Sequence, residues 1–169
     1  MSAPQHTTLR RAVDADSAAI LRWRNHPEVR RVMFTEHEIS AAEHARWWAS
    51  IKTRDDYQLL VIEHNAAPCG VVTFSRCADD STAWLWGFYL DPEGFADGLE
   101  RLRAWNGMEV ASLAWAQAQL AANEVRCEVF AFNTAVLQMH LRHRFRETGR
   151  YQRRRGEAIF DVVQLARKP

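Results

Sequence analysis

The residues best suited to move a proton in this sequence are Glu128 and His140, set on either side of a break at Asn133-Thr134. An imidazole titrates near neutral pH and can give or take a proton there, while an ionised carboxylate only accepts. Cys127-Glu128-Val129-Phe130-Ala131-Phe132 has the β-branched and aromatic content and near alternation of a strand. Asn133-Thr134 then offers a side-chain cap for a helix from about Ala135 to His143. On that helix Val136, Met139 and His140 share one face at i, i+3, i+4 spacing, so whatever lies at the strand end also lies beside His140. Plainer assignments stay open. His140 also reads as a surface histidine in an Arg-rich helix, and Glu128 as a carboxylate facing solvent or paired with Arg126 or Arg142.

The elements that must hold these residues follow from the rest of the chain. Leu9 to Val13 is a short strand, and Asp14 to Ser17 supplies capping chemistry for a helix starting near Ala18, with Ala19, Ile20 and Trp23 on its apolar side. Pro27 disfavours helix at His26, so a turn over Trp23 to Glu28 should separate that helix from a short second one, Val29 to Met33. Ser40, with Glu43 three residues on, has the spacing of a capping box for a third helix carrying Trp47, Trp48 and Ile51. From Tyr57 the period changes to that of strands: residues 58–64, 70–75 and 83–90, the first two joined by a turn at Asn65 to Pro68. Three strands with no helix between them form an antiparallel meander. A loop rich in Gly and charge follows, then a long helix from about Met108 to Ala122, the strand and helix around Asn133, and a final strand pair split at Gly156. The order predicts a mixed α/β (α+β) fold with a largely antiparallel twisted sheet flanked by helices, in one domain over residues 9–169 after a polar tail, residues 1–8.

Composition narrows the function classes. At 169 residues, with 47% hydrophobic and 25% charged residues, the chain can bury roughly two thirds of its unfolded surface around one core. A formal charge of +1 carries no nucleic-acid footprint. The charge is uneven, however: Arg142, Arg144, Arg146, Arg150, Arg153, Arg154 and Arg155 crowd the last quarter. They form either a solvated face or a patch facing the phosphates of a cofactor, a nucleotide-sugar or RNA. Cys69, Cys77 and Cys127 are odd in number and lack metal-ligand spacing, so neither a disulfide framework nor a zinc site is expected. No apolar run is long enough to span a bilayer, and a cytoplasmic protein is expected.

The strand-to-helix step with Asn133 at the break and His140 two turns later resembles the last motif of the GCN5-related N-acetyltransferases. There Asn is followed by a helix bearing Tyr and then by Gly-Phe before a final hairpin. Phe145 falls in place, His140 takes the Tyr position and Arg144 replaces the Gly. The N-terminal third is similar to a narrower group. Leu21 to Arg30, Met33-Phe34-Thr35, and Ile39-Ser40 with Glu43-His44 and Trp47 resemble the opening of the bacterial enzymes that acetylate a UDP-linked 4-amino-4,6-dideoxy sugar during pseudaminic acid synthesis, a route to flagellin glycosylation. Trp86 to Leu90 and Cys127-Glu128-Val129 with Asn133 extend that match. The related ribosomal-protein and N-terminal acetyltransferases share part of the pattern, and the second reading is an enzyme of that kind acting on a protein N-terminus or a small amine such as an antibiotic. A non-catalytic binding module is the reading from another class.

The resemblance implies acetyl-CoA as cosubstrate, no metal, and a small nucleotide-sugar acceptor; a homodimer stays open. It makes His140 the general acid for the departing thiolate and Glu128 the base, direct or through water. Backbone N–H groups near Tyr89 or Leu90, at a bulge that splays the fourth strand from the fifth, would meet the oxyanion, with Tyr89 lining the sugar pocket. Phe88, Tyr89, Leu90, Met108, Asn133 and Arg142 would line the CoA site. Arg24, Arg30, Met33, Phe34, His44, Trp47 and Thr73 would form the acceptor site, although Trp23 and Trp47 also suit a core. The departure lies in the diphosphate turn, Q/R-x-x-G-x-G/A in the family, which grips phosphates with bare backbone N–H groups. Here Glu100 to Met108 stands in its place, with Trp105 where the last small residue is expected. Arg101, Arg103, Asn106 and Gly107 would have to form a rebuilt anion nest.

Overall fold

The structure, a computed structural model, describes residues 6–169. The start of the expected tail, residues 1–5, lies outside the described residues, whereas Thr7 and Thr8 already belong to the first strand. The elements run β1 (Thr7–Arg11), α1 (Ser17–Asn25), α2 (Pro27–Val32), α3 (Ala41–Ile51), β2 (Tyr57–His64), β3 (Ala67–Arg76), β4 (Ala83–Leu90), α4 (Gly98–Leu120), β5 (Glu124–Phe130), α5 (Thr134–Arg142), β6 (Arg146–Arg155) and β7 (Ala158–Arg167). A single 3₁₀ turn, Asp14–Asp16, precedes α1.

Local chemistry explains most boundaries. The turn expected over Trp23 to Glu28 shrinks to His26 alone, because His26 caps α2, its ring Nδ1 accepting from the Glu28 N–H, and Pro27 sits in the first turn where its missing N–H costs nothing. Ser40 Oγ accepts from the Glu43 N–H at 3.1 Å and starts α3, but the Glu43 carboxylate turns to His37 instead of closing the box. The β2–β3 hairpin turns on Asn65 and Ala66, both at positive φ, as a two-residue turn requires. At Arg144 φ is +66°, the left-handed conformation that a Gly would adopt freely at this helix exit.

Among the described residues seven strands make one sheet in the order β1-β2-β3-β4-β5-β7-β6. Every neighbouring pair is antiparallel except β4 and β5, which are parallel and pair only through Ala83↔Glu124, Trp84↔Val125 and Leu85↔Arg126. Beyond Leu85 the two strands part. The expected bulge in β4 is not the cause: its register with β3 runs without a shift from Arg76↔Trp84 to Gly70↔Leu90. The strands diverge instead because β5 continues onto β7 from Val125 to Phe130 while β4 stays with β3.

The sheet has two apolar faces. One packs Leu60, Ile62, Val72, Phe74, Trp84 and Trp86 against α4 (Met108, Leu113, Ala116) and α5 (Val136, Leu137). The other packs Val61, Val71 and Tyr89 against α1 (Ile20, Trp23) and α3 (Trp47, Trp48). Trp23, taken as core from the sequence, is 3% exposed. The main revision concerns α4. It starts at Gly98, ten residues before the predicted Met108, so most of the expected loop is helix. Asp97 Oδ1 accepts from the Glu100 N–H at 2.8 Å, a side-chain cap that makes this earlier start favourable. No helix among the described residues is long and apolar enough to cross a membrane.

Candidate active site

The parting of β4 and β5 leaves two strand edges without partners and opens a cleft of about 700 Å³. Its floor and walls are Trp86 to Leu90 of β4, Cys127, Glu128 and Val129 of β5, and Asn133, Val136 and His140 around α5. Of the residues singled out in the sequence, Glu128, His140, Tyr89, Phe88, Leu90 and Asn133 thus meet in one place. Asn133 stands at the cap position of α5 but makes no side-chain cap hydrogen bond, leaving its amide to the cleft.

His140 is 2% exposed, and its Nδ1 lies 2.7 Å from Glu109 Oε1, a carboxylate on α4 with no exposure at all. The ring is held among Trp86 (centroids 4.9 Å), Phe145 (5.3 Å) and Phe88 (6.0 Å). The surface-histidine assignment is therefore wrong. Glu128 accepts a hydrogen bond from the Tyr151 hydroxyl of β6 and does not pair with Arg126, which binds Glu124 and Asp79. Sequence reading missed Glu109. Its signal was a charge inside the apolar stripe of a helix, between Met108 and Leu113, all three buried.

A second cavity, about 290 Å³, lies on the α1/α3 face and is lined by Arg24, His44, Trp47, Tyr57, Thr73 and Tyr89. Arg24, Thr73 and Tyr89 line both cavities, so the two adjoin at β3 and β4. Arg24 Nη2 donates to the Thr35 carbonyl and hydroxyl, each at 2.9 Å, while Nη1 is buried without a partner among the described residues. Burial holds its pKa below the usual arginine value. Burial also raises the Tyr89 phenol and pushes Tyr57 up to about 12, so both keep their protons and can donate. His44 Nε2 sits 2.9 Å from Ser17 Oγ, and burial lowers its pKa, which keeps the ring neutral. Met33 and Phe34 line the main cleft. Arg30 lines neither cavity; it donates to the Glu36 carbonyl.

Residues 6–146 match the family model for the acetyltransferase (GNAT) domain. This chain belongs to that family of N-acetyltransferases. Among solved structures it is similar to spermidine N-acetyltransferase from Vibrio cholerae in complex with CoA and spermine, with a TM-score of 0.81 at 16% identity over 96% of this chain and 95% of that one. It is similar also to an N-acetyltransferase from Staphylococcus aureus Mu50 (TM-score 0.75, 18% identity, 96% and 98% covered). A third likeness is to ribosomal-protein-alanine N-acetyltransferase from Brucella melitensis (TM-score 0.71, 17%, 95% and 99%). No curated protein sequence matches it.

The GNAT cosubstrate fits one part of this site and not another. Two open strand edges lined with Phe88, Leu90 and Val129 suit an extended thioester arm that needs backbone hydrogen bonds and apolar flanks. The diphosphate end has no nest at residues 100–108. From Arg101 onward the N–H groups are committed to helix α4, beginning with Arg101 N to Asp97 O at 3.2 Å. Gly107 lies against β1, where a Cβ would come within 2.4 Å of Thr7 Oγ1, so its small size serves helix–strand contact. Asn106 Oδ1 is 2.8 Å from His143 Nε2, Met108 is in the core, and Arg103 and Arg142 are exposed and line neither cavity. Only Arg101 and Trp105 face the cleft; Arg101 is 3.8 Å from Glu28 and Trp105 packs on Phe88 at 5.9 Å. The first turn of α4 is acidic, with Asp97 and Glu100, which disfavours an anion there. Among the described residues no group of His, Cys, Asp or Glu could hold a metal ion.

Proposed function

We propose that this protein transfers the acetyl group of acetyl-CoA to the amine of an acceptor that carries an anionic group, and that the acceptor is a UDP-linked 4-amino-4,6-dideoxy sugar. The observation that carries the reading is Arg24, a cation that lines both cavities and whose Nη1 is buried with no partner among the described residues. A buried donor left unmatched costs about 1–3 kcal/mol, which an anion or carbonyl of the acceptor would recover. A polyamine would instead bring cations against it. Met33 and Phe34 add an apolar surface for a base.

In this reading the thioester arm lies along β4 and β5, and the acceptor enters from the α1/α3 side. The amine attacks the thioester carbonyl, the C–N bond forms, the C–S bond breaks and the thiolate takes up a proton. Tyr89, Thr73 and Arg24 line both cavities and orient the acceptor where they join. His140 lies on the arm side, where the proton moves from amine to thiolate. The diphosphate is met by side chains at the cleft rim, Arg101 first, in place of a backbone nest. Assembly of several copies belongs to the same reading: a spermidine N-acetyltransferase from Vibrio cholerae has a dodecameric structure.

The test offers the protein acetyl-CoA with the UDP-4-amino sugar or with spermidine and identifies products by mass spectrometry. Acetylated UDP-sugar, with spermidine untouched, is expected. Acetylated spermidine formed at equal rates by wild type and Arg24→Leu would end the reading.

A further inference from the structure

Glu109 serves no structural end that a smaller or apolar residue would not serve better. It sits in α4 with zero exposure, next to Met108 and one turn from Leu113, both of the main apolar cluster. Its Oε1 meets His140 Nδ1, but its Oε2 is buried without a partner among the described residues. Desolvating a carboxylate is costly, and a buried ion pair is often no more stable than a well-packed apolar pair of the same volume. A half-satisfied carboxylate in a core is therefore a cost that folding alone does not recover.

The geometry points to Glu109 as a positioning residue that turns His140 into a two-way proton shuttle, a role resting on the acetyl-transfer reading above. With one proton between Oε1 and Nδ1, the neutral ring has its N–H on Nδ1, and Nε2 presents a lone pair. His140 Nε2 has no hydrogen-bond partner among the described residues, and His140 lines the cleft. Neutral His140 is thus first an acceptor, not the donor expected of a residue in the family's Tyr position. The proton balance closes on this one residue. Once the amine has attacked the thioester carbonyl, its surplus N–H proton passes to Nε2 and the carboxylate faces the imidazolium. The C–S bond then breaks, and the Nε2 proton goes to the departing thiolate. The products are amide and thiol, and the pair returns to its starting state. Glu128 is not needed as the base when His140 both takes the amine proton and returns it to the thiolate; its carboxylate accepts from Tyr151.

The other ionisable groups about the pair come from every side. His143 ends α5, Cys127 and Glu128 face it from β5, Arg167 reaches in from β7, and Arg24, Glu28 and Arg101 lie across the cleft. None but Glu109 is hydrogen-bonded to the His140 ring among the described residues.

The experiment follows the ring nitrogens of His140 by ¹⁵N NMR in the full chain without substrate, in wild type, Glu109→Gln and Glu109→Asp. Wild type should show a protonated Nδ1 and a bare Nε2 when neutral. A glutamine side chain can donate as well as accept, so in Glu109→Gln the Nδ1-protonated ring should lose its dominance, whereas Glu109→Asp keeps the carboxylate and should keep the wild-type tautomer. In turnover, Glu109→Gln should lower kcat about 10- to 100-fold with the thioester KM within about twofold, and Glu109→Asp should recover part of the loss. A wild-type ring protonated on Nε2, or the same tautomer balance and kcat in wild type and Glu109→Gln, overturns the assignment. If Glu109→Gln does not fold, the wild-type tautomer decides. Failure of every acceptor tried would sink the acetyl-transfer reading and leave the NMR result standing.

Discussion

The two walls of the cleft were built to different degrees of fidelity to the family pattern. On the β5–α5 wall, Glu128, Asn133 and His140 come together as their spacing in the sequence implies, with Arg144 even taking the backbone conformation of the Gly it replaces. On the α4 wall, the turn that should grip a diphosphate has become the first turns of a 23-residue helix, and its one surviving Gly is held against Thr7. The difference teaches that the cleft and the gathering of Glu128, Asn133 and His140 depend on the parting of β4 from β5, which strand pairing fixes. Anion binding depends on a local turn that a single good cap, Asp97, can replace with helix.

The contrast is broken most directly from the His140 side. His140→Asn keeps the volume and one hydrogen-bonding group but cannot carry the proton, and kcat should fall about 10²- to 10⁴-fold with little change in thioester affinity, read by steady-state kinetics. Unchanged turnover would mean that the wall which matches the family pattern is not the working one. Arg24→Leu comes next: the KM for a phosphorylated amine should rise roughly 10- to 100-fold, the equivalent of about 1.5–3 kcal/mol for a lost charged hydrogen bond, with kcat far less affected.

Gly107→Ala sharpens the other wall. If Gly107 were part of an anion nest, Ala would weaken acetyl-CoA binding and leave stability alone. Because a Cβ there would sit 2.4 Å from Thr7 Oγ1, it should cost about 1–3 kcal/mol in urea unfolding and leave acetyl-CoA affinity unchanged. The smallest effect is in pH. Burial lowers the pKa values of His44 and His143, so below the unfolded value of about 6.5 the unfolded chain binds protons first. Stability from these rings is complete above about pH 6.5 and is lost as pH falls toward their folded values. His44→Gln should flatten that slope in urea midpoints measured between pH 7.5 and pH 5.5, values chosen to bracket about 6.5.

Legibility in the sequence followed the same division. Alternation gave β2, β3 and β4 to within a few residues, and the Ser40 and Asn133 positions marked helix starts, because period and caps are local signals. Asn133 caps by position only, without a side-chain bond. The start of α4 was misplaced because Gly98 and Gly107 read as loop residues, although Asp97 with Glu100 three residues on was a capping signal upstream of both. The Glu109–His140 pair joins α4 to α5 across 31 positions and could not be read from spacing. An ionisable residue in the apolar stripe of a helix was the one hint. The seat of Arg24 between two cavities likewise depends on how α1 lies over β3 and β4.

Calorimetry of acetyl-CoA beside S-acetylpantetheine, which has the thioester arm but no diphosphate, tests most directly whether the cleft holds the arm while α4 has lost the diphosphate cradle. Both should bind, with affinities within about tenfold, or about 1.4 kcal/mol, of each other. No heat from either thioester, or acetyl-CoA binding more than about 10³-fold tighter than the short donor, would contradict it.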